Sequence, residues 1–484
     1  MLKAVRLRNF RSLEDTGEVE LRPLVLLVGA NSSGKSSFLR FFPLLRQTAR
    51  TNASSPLLWF GDDVDYGDFG RVVGGDEDPA IEVSLRMMNT TPGVLRTGEV
   101  ELNCRIIGNR EHSRVERCSL QVFGHRVQME FAIQGELQAI RVDDRDMPLD
   151  ASGPDVAHAK PEQRGLVPLP HHELPRLQQV AYQRLVNAMV SASEGKFTKA
   201  RLDAVVGFPH AADDEFLRRM MSETELRVLT TNDELVADMG RLLIVRDLRL
   251  ILEGIAGSLE QYARQIGYVG PFRSAPERYY RKQDLATDRI ARDGENLAMV
   301  LRSLSPRERG DLSAWVHQYF GFGLHVEQEG DHVALKVEVN GGRRFDLVDM
   351  GFGLSQVLPI VVQCWLAGRT DGRRGKGLAV ASLLAIEQPE LHLHPVHQAN
   401  LADMLAAVVR AEREVGRWSP MIVETHSNAL VNRLGELVSE GVVLPSEVSV
   451  LLFEKGEDGV TRVREAAFNA EGVLENWPVG FLSA

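Results

Sequence analysis

The densest chemistry in the chain sits in Gly29-Ala30-Asn31-Ser32-Ser33-Gly34-Lys35-Ser36-Ser37. The glycines, the lysine and the serine fit G-x-x-x-x-G-K-[ST], after an apolar run at 24–28 and before helix-forming residues. Backbone N–H groups of such a loop, together with the start of the following helix, surround an anion. Gly29 and Gly34 let the backbone turn tightly and approach a phosphate. Lys35 has the length to reach β- and γ-phosphates, and the Ser36 hydroxyl suits Mg²⁺. A chance Gly/Ser turn would lack the flanking strand and helix, so the expected ligand is a nucleotide.

A second group lies in "LLAIEQPELHLHP", 383–395. An apolar strand delivers Glu387 to its C-terminal end, where parallel α/β sheets place ligands, and its carboxylate could hold a Mg²⁺-bound water. Many ATP-hydrolysing strands of this kind end in two acids, but here the second is Gln388. An amide can orient water but has no useful basicity, and general-base assistance is worth about 10²–10⁴-fold. Slow hydrolysis is therefore expected, with Glu390 as the alternative base. The pair His392 and His394, with Glu390 and His397 nearby, admits a weaker reading as a metal cluster.

Two further segments carry less specific signals. In "DMGFGLSQVLPIVV" the loop glycines Gly351 and Gly353 precede Ser355 and Gln356 at the start of an apolar helix. That is a second anion-binding helix end, or an ordinary capped core helix. One chain needs only one phosphate cradle, so a second points to binding in trans. In "MIVETHS" an apolar strand ends in Thr425-His426-Ser427. A lone histidine at a strand end is usually structural, and His426 gains interest only from following the Glu387 strand.

The elements that must position these groups read in blocks. Residues 1–28 read as strands, and a helix follows the glycine loop to about Arg46, where Pro43 should kink or shorten it. Residues 80–146 alternate as an antiparallel meander. A Pro/His/Gly-rich break at 150–172 gives way to helical periodicity over about 173–266. A helix-rich stretch then runs to about 320, two alternating strands follow, and the tail reads as a hairpin turning on Gly456–Gly459. The resulting division is an N-terminal lobe, 1–150, a helical insert, 151–266, and a C-terminal lobe, 267–484. The 484 residues are 44% hydrophobic and 25% charged with net charge −11, which argues against chain-wide attraction to nucleic acid. Three dispersed cysteines without CxxC imply neither a disulfide framework nor a zinc module. No signal peptide is visible, and no apolar run approaches the roughly 18–20 residues of a membrane span. A cytoplasmic protein without membrane contact is expected.

Taken together, "LRNFRSLED", the glycine loop, "VDMGFGLSQVLPIVV", "IEQPELHLHPVHQ" and "ETHS" resemble an ABC-type ATPase of the RecF/SMC kind. The likeness is strongest to the overcoming-lysogenisation-defect-like group. It implies an α/β fold: an ABC ATPase head, with a mixed sheet around a P-loop core, an antiparallel β-subdomain and here an α-helical insert. It further implies that Gly29, Asn31, Ser32, Ser33, Gly34, Lys35, Ser36 and Ser37 hold the phosphates of ATP. Ser36 and Glu387 would organise Mg²⁺. Gly353, Ser355 and Gln356 would reach the γ-phosphate on a second protomer, His426 would sense it, and Asn9 to Arg11 would lie close to the nucleotide. The glutamine of the Q-loop has no clear match, with Gln47 and 65–72 as candidate places. The 390–397 stretch would be a turn at the dimer interface.

"YVGPFRSAPERYY", "DGENLAMVL" and "GVLENWPVGFL" resemble a bacterial ATPase subfamily that ends in a small domain of unknown function and often occurs in anti-phage or toxin-like defence loci. The stretch after His426 is too short for the Toprim nuclease that some relatives carry. The leading expectation is an ATP-dependent switch or scaffold that forms an ATP-sandwiched homodimer or higher homo-oligomer. It would control a separate nuclease or toxin from the same operon. A DNA-repair clamp is the alternative, with Arg40, Arg46, Arg50 or "RGKG" near 374–377 as DNA contacts. An unrelated enzyme built on the insert is a third, with no nucleophile–base pair to support it.

Overall fold

A computed structural model of the chain describes residues 1–51, 53, 55–74, 79–89, 98–147, 162–170, 174–192, 214–222, 233–282, 289–339, 342–369 and 381–477. The "RGKG" segment, most of the 150–172 break and the last seven residues lie outside these. The backbone divides into two compact units that cut across chain order. One holds 11–46, 62–64 and 263–484, and the other holds 1–10, 47–61 and 65–262. The glycine loop therefore folds with the C-terminal half of the chain. No helix among the described residues is long and apolar enough to cross a membrane.

The first unit is built on a mixed sheet. Its strands run in the order Leu13–Asp15, Thr461–Phe468, Val448–Lys455, Leu24–Gly29, Met421–Glu424, Leu383–Glu387 and Ile266–Val269. The last five pair in parallel. "LVLLV", "LLAI" and "MIV" are unbroken apolar runs because both faces of a parallel sheet are covered, and every residue of these three strands is buried. The helices Phe352–Ala367, Pro395–Glu414 and Asn428–Ser439 supply Val357, Val361, Leu401, Leu405, Leu430 and Leu434 to the core. The tail forms the expected hairpin: Val448–Lys455 pairs antiparallel with Thr461–Phe468, and Gly459 takes φ +79° in the turn. A smaller antiparallel sheet contains Phe322–Glu329, His332–Val339 and Arg343–Asp346.

The helix after the glycine loop spans Lys35–Arg50, so Pro43 does not end it near Arg46 as the sequence suggested. A proline removes one rung of the helical ladder. Phe38, Leu39, Phe41, Phe42 and Leu44 are completely buried on this helix. Burying such side chains is worth about 1.5–3 kcal/mol each, enough to hold the helix across the lost bond.

The second unit is the antiparallel meander. The strands Leu2–Phe10, Ala80–Asn89, Gly98–Gly108, Ser113–Val122, His125–Phe131, Leu137–Val142 and Arg145–Asp146 pair in sequence. Gly98–Gly108 alternates buried and half-exposed residues along its middle, as a sheet covered on one face requires. The helices Leu174–Ala192, Asp214–Ser222 and Asp233–Arg264 follow, and Met189, Leu217, Val236 and Met239 form a small apolar cluster among them.

Candidate nucleotide site

The glycine loop bridges the strand Leu24–Gly29 and the helix Lys35–Arg50. Three of its residues adopt left-handed or related backbone: Gly29 at φ +156°, Ser32 at +61° and Gly34 at +95°. A Cβ at Gly29 would lie 2.4 Å from the Phe453 carbonyl oxygen, so only glycine lets the two strands approach there. A Cβ at Gly34 would meet the Leu13 side chain at 2.9 Å and the Ser12 hydroxyl at 3.0 Å. The turn beginning at Arg11, which is exposed at φ +57°, therefore packs against the loop. Asn9 belongs to the other compact unit. Asn31 and Ser32 are exposed, Ser36 and Ser37 are half-buried, and Ser33 is buried with its hydroxyl unpartnered.

Lys35 is almost completely buried. Its ammonium donates to the carbonyls of Gly29 at 2.9 Å and Ala30 at 2.7 Å, curling over the loop it would share with a phosphate. Burial lowers its pKa, while Glu424 and Glu390 act in the opposite direction.

Two carboxylates stand side by side at the C-terminal ends of the sheet, because Glu387 and Glu424 are register partners on adjacent parallel strands. Their surroundings differ. Glu387 is 2% exposed and fully engaged: Arg40 Nε and Nη2 donate to its two oxygens at 2.7 and 2.8 Å, and the Tyr268 hydroxyl donates to Oε1 at 2.7 Å. Burial, then the Glu387 charge, raises the Tyr268 pKa, which keeps the phenol a donor. Glu424 is 3% exposed and accepts the Ser36 hydroxyl at 2.9 Å on Oε1, while Oε2 has no partner. Burial and then the neighbouring Glu387 push the Glu424 carboxyl up to about 7. Ser36 thus meets Glu424 rather than Glu387. Glu424 in "ETHS", Arg40 as a partner of Glu387, Tyr268 and Arg273 carry no local motif that marks them in the sequence.

Gln388 follows Glu387 in left-handed backbone at φ +44°. Three hydrogen bonds hold this turn. Its N–H donates to the Glu424 carbonyl at 2.9 Å, and Arg273 Nη2 donates to the carbonyls of Glu387 at 2.7 Å and Gln388 at 3.2 Å. Arg273 is buried with its Nε and Nη1 unpartnered, and burial brings its pKa down to about 10. Glu390 is buried and accepts the His426 backbone N–H at 2.6 Å, so the two neighbouring strand ends are tied together. Burial raises the Glu390 pKa, and burial followed by the Lys35 charge lowers that of His426. His426 is half-buried, its Nε2 unpartnered, and Ser427 caps the next helix by accepting from the Leu430 N–H at 3.0 Å.

The helix Phe352–Ala367 opens after Gly351 at φ +84°. Ser355 and Gln356 near its start are buried, and the Gln356 amide donates at 3.4 Å to the carbonyls of both Arg273 and Ser274. Gly353 is half-buried, and a Cβ there would sit 2.4 Å from the His392 carbonyl oxygen. His394 caps the helix Pro395–Glu414 through its side chain, and His397 lies near the Phe320 ring. Among the described residues no three His, Cys, Asp or Glu side chains group as a metal cluster. Gln47 is buried and donates to the Leu58 carbonyl.

A family model described as an AAA ATPase domain matches residues 1–106 and 279–431, more than half of the chain and both ends of this site. The chain belongs to the AAA ATPase domain family. ATP binding and ATP hydrolysis are that family's class of activity, and the cradle here fits a nucleotide phosphate. No curated protein matches by sequence. Among solved structures, the SMC head domain of Pyrococcus furiosus with an extended coiled coil, bound to the C-terminal domain of ScpA, is 12% identical with a TM-score of 0.35 over 96% of each chain. The SMC head domain of Thermotoga maritima is 9% identical with a TM-score of 0.36, over 96% of this chain and 98% of that one. The mixed α/β architecture rests on the sheet described above.

Proposed function

We propose that this AAA ATPase is a slow ATP-driven switch of the ABC type, in which two copies close around ATP. The observation that carries the reading is Gln388. It stands directly after the strand-end Glu387, beside an otherwise complete phosphate loop, where a proton-accepting acid would speed hydrolysis. In this reading Gly29, Asn31, Ser32, Ser33, Gly34, Lys35, Ser36 and Ser37 hold the phosphates, with Arg11 at the edge. The Ser36 hydroxyl and a strand-end carboxylate hold Mg²⁺, which would draw charge from the γ-phosphate. Gln388 orients water, with Glu390 as the nearest alternative base and His426 facing the γ-phosphate. Gly353, Ser355 and Gln356 engage the nucleotide of the second copy. Support for pairing comes from two exposed apolar residues, one in the 390–397 stretch and one beside Arg273. Phe272, before Arg273, is 87% exposed, and Val396, at the helix after the Glu387 strand, is 60% exposed.

The biological setting we infer is anti-phage defence in the cytoplasm, with a nuclease or toxin as the separate effector. It rests on the family resemblance of the sequence. The DNA-clamping alternative has less support, because Arg40 is paired with Glu387 and Arg46 with Asp63. The test is steady-state phosphate release together with light scattering in ATP. Wild type should turn over slowly and dimerise in ATP, Lys35→Ala should do neither, and Gln388→Glu should raise turnover at least tenfold. Rapid wild-type turnover without ATP-dependent association would end the switch reading.

A further inference from the structure

We propose that Glu424, not Glu387, is the carboxylate of this chain that takes the nucleotide's divalent cation, and that Glu387 is instead a positioning group locked to Arg40 and Tyr268. The inference rests on the nucleotide-binding reading above and assigns its metal side.

Charge and valence separate the two acids. Both Glu387 oxygens are spent on three hydrogen bonds, two of them from a guanidinium that offsets part of its charge. A cation there would have to displace Arg40 first. Glu424 is equally buried, yet one oxygen touches the Ser36 hydroxyl and the other has no partner. A buried carboxylate oxygen without a donor is costly, and such exceptions in folded proteins call for a missing group. Ser36 is the serine that this loop motif devotes to Mg²⁺, so Glu424 already stands against a cation ligand.

The second observation is Lys35. Its ammonium now bonds the Gly29 and Ala30 carbonyls, and its positive charge acts on Glu424. When it turns to a β- or γ-phosphate, Glu424 loses that countercharge. A divalent cation at Ser36 would replace it and would also relieve the repulsion between Glu424 and its register neighbour Glu387. Mg²⁺ needs no larger protein cage. It keeps several waters and takes one or two carboxylates plus substrate phosphates, which agrees with the lack of a three-ligand cluster among the described residues.

The test uses Mn²⁺ as the probe and the full chain. Free Mn²⁺ is read by electron paramagnetic resonance during titration into protein saturated with a non-hydrolysable ATP analogue. A fluorescent ATP analogue in EDTA separately reads metal-free nucleotide affinity. Glu424→Gln should weaken Mn²⁺ at least tenfold and leave metal-free affinity within about twofold. Glu424→Asp should fall between it and wild type, which guards against a folding defect in the amide variant. Glu387→Gln should leave Mn²⁺ affinity within about threefold. The inference is overturned if Glu424→Gln binds Mn²⁺ like wild type, or if Glu387→Gln is the variant that loses the metal. If wild type fails to bind the analogue even without metal, the nucleotide reading itself falls, which is a different result.

Discussion

Removing Arg40 should expose how much of this unit's stability depends on keeping Glu387 neutralised. The Glu387 carboxylate is 2% exposed, and Arg40 provides two of its three hydrogen bonds. Taking one partner from a buried ion pair costs about 3–5 kcal/mol, mainly because the remaining charge stays desolvated. The Arg40 side chain is 34% exposed, so water can partly replace it, and we expect about 2–4 kcal/mol for Arg40→Met. In the double variant Arg40→Met/Glu387→Gln no charge is stranded, and the Tyr268 hydroxyl can still donate to the amide oxygen. Most of the loss should return, giving a coupling of at least about 1.5 kcal/mol for residues in direct contact. The assay is urea unfolding in a Trp59→Phe background. Trp315, Trp365, Trp418 and Trp477 then report only the unit that holds this pair, which matters because a chain of two units need not unfold in one step. A cost below about 0.5 kcal/mol for Arg40→Met, or additive single variants, would refute the picture of a clamped Glu387.

Three other outcomes follow from the same geometry. The apo protein should lose stability as pH rises through the Glu424 transition. Its protonated form is favoured on folding, so this contribution is complete below pH 4.5 and is lost as pH passes about 7. The difference amounts to about 3 kcal/mol at 1.36 kcal/mol per tenfold. Glu424→Gln in EDTA should therefore exceed wild type in urea midpoint at pH 8 and converge with it near pH 4, and parallel pH profiles would contradict the assignment. Gly353→Ala would drive a Cβ to 2.4 Å from the His392 carbonyl. Overpacking of that kind costs about 1–3 kcal/mol, and the expected result is loss of ATP-dependent association in light scattering while nucleotide affinity survives. Arg273→Gln should lower kcat about tenfold or more with little change in nucleotide affinity, since Arg273 holds the Glu387–Gln388 turn by its carbonyls. Partial recovery in Arg273→Lys, read as a split between kcat and KM, would separate positioning from a general folding defect.

The glycine loop was legible because Gly29, Lys35 and Ser36 lie within one loop and its flanking strand and helix, and local spacing fixes such geometry. The strands ending at Glu387 and Glu424 were legible as apolar runs, and the tail hairpin through its glycines. Pro43 misled because its local penalty is real, but the burial of Phe38, Phe41 and Phe42 that outweighs it is a property of the packed sheet.

What the sequence determined alone is the family and its local parts: a glycine loop between strand and helix, strand-end carboxylates, and the amide Gln388 directly after one of them. Tertiary structure decided which partners each carboxylate meets. Parallel pairing places Glu387 beside Glu424, 37 positions apart in the chain. It then hands one to Arg40, 347 positions away, and the other to Ser36, 388 positions away. Both are apolar-strand glutamates when read along the chain. Only the register of the sheet, and the helix laid across its end, distinguishes a neutralised buried charge from one with an oxygen to spare.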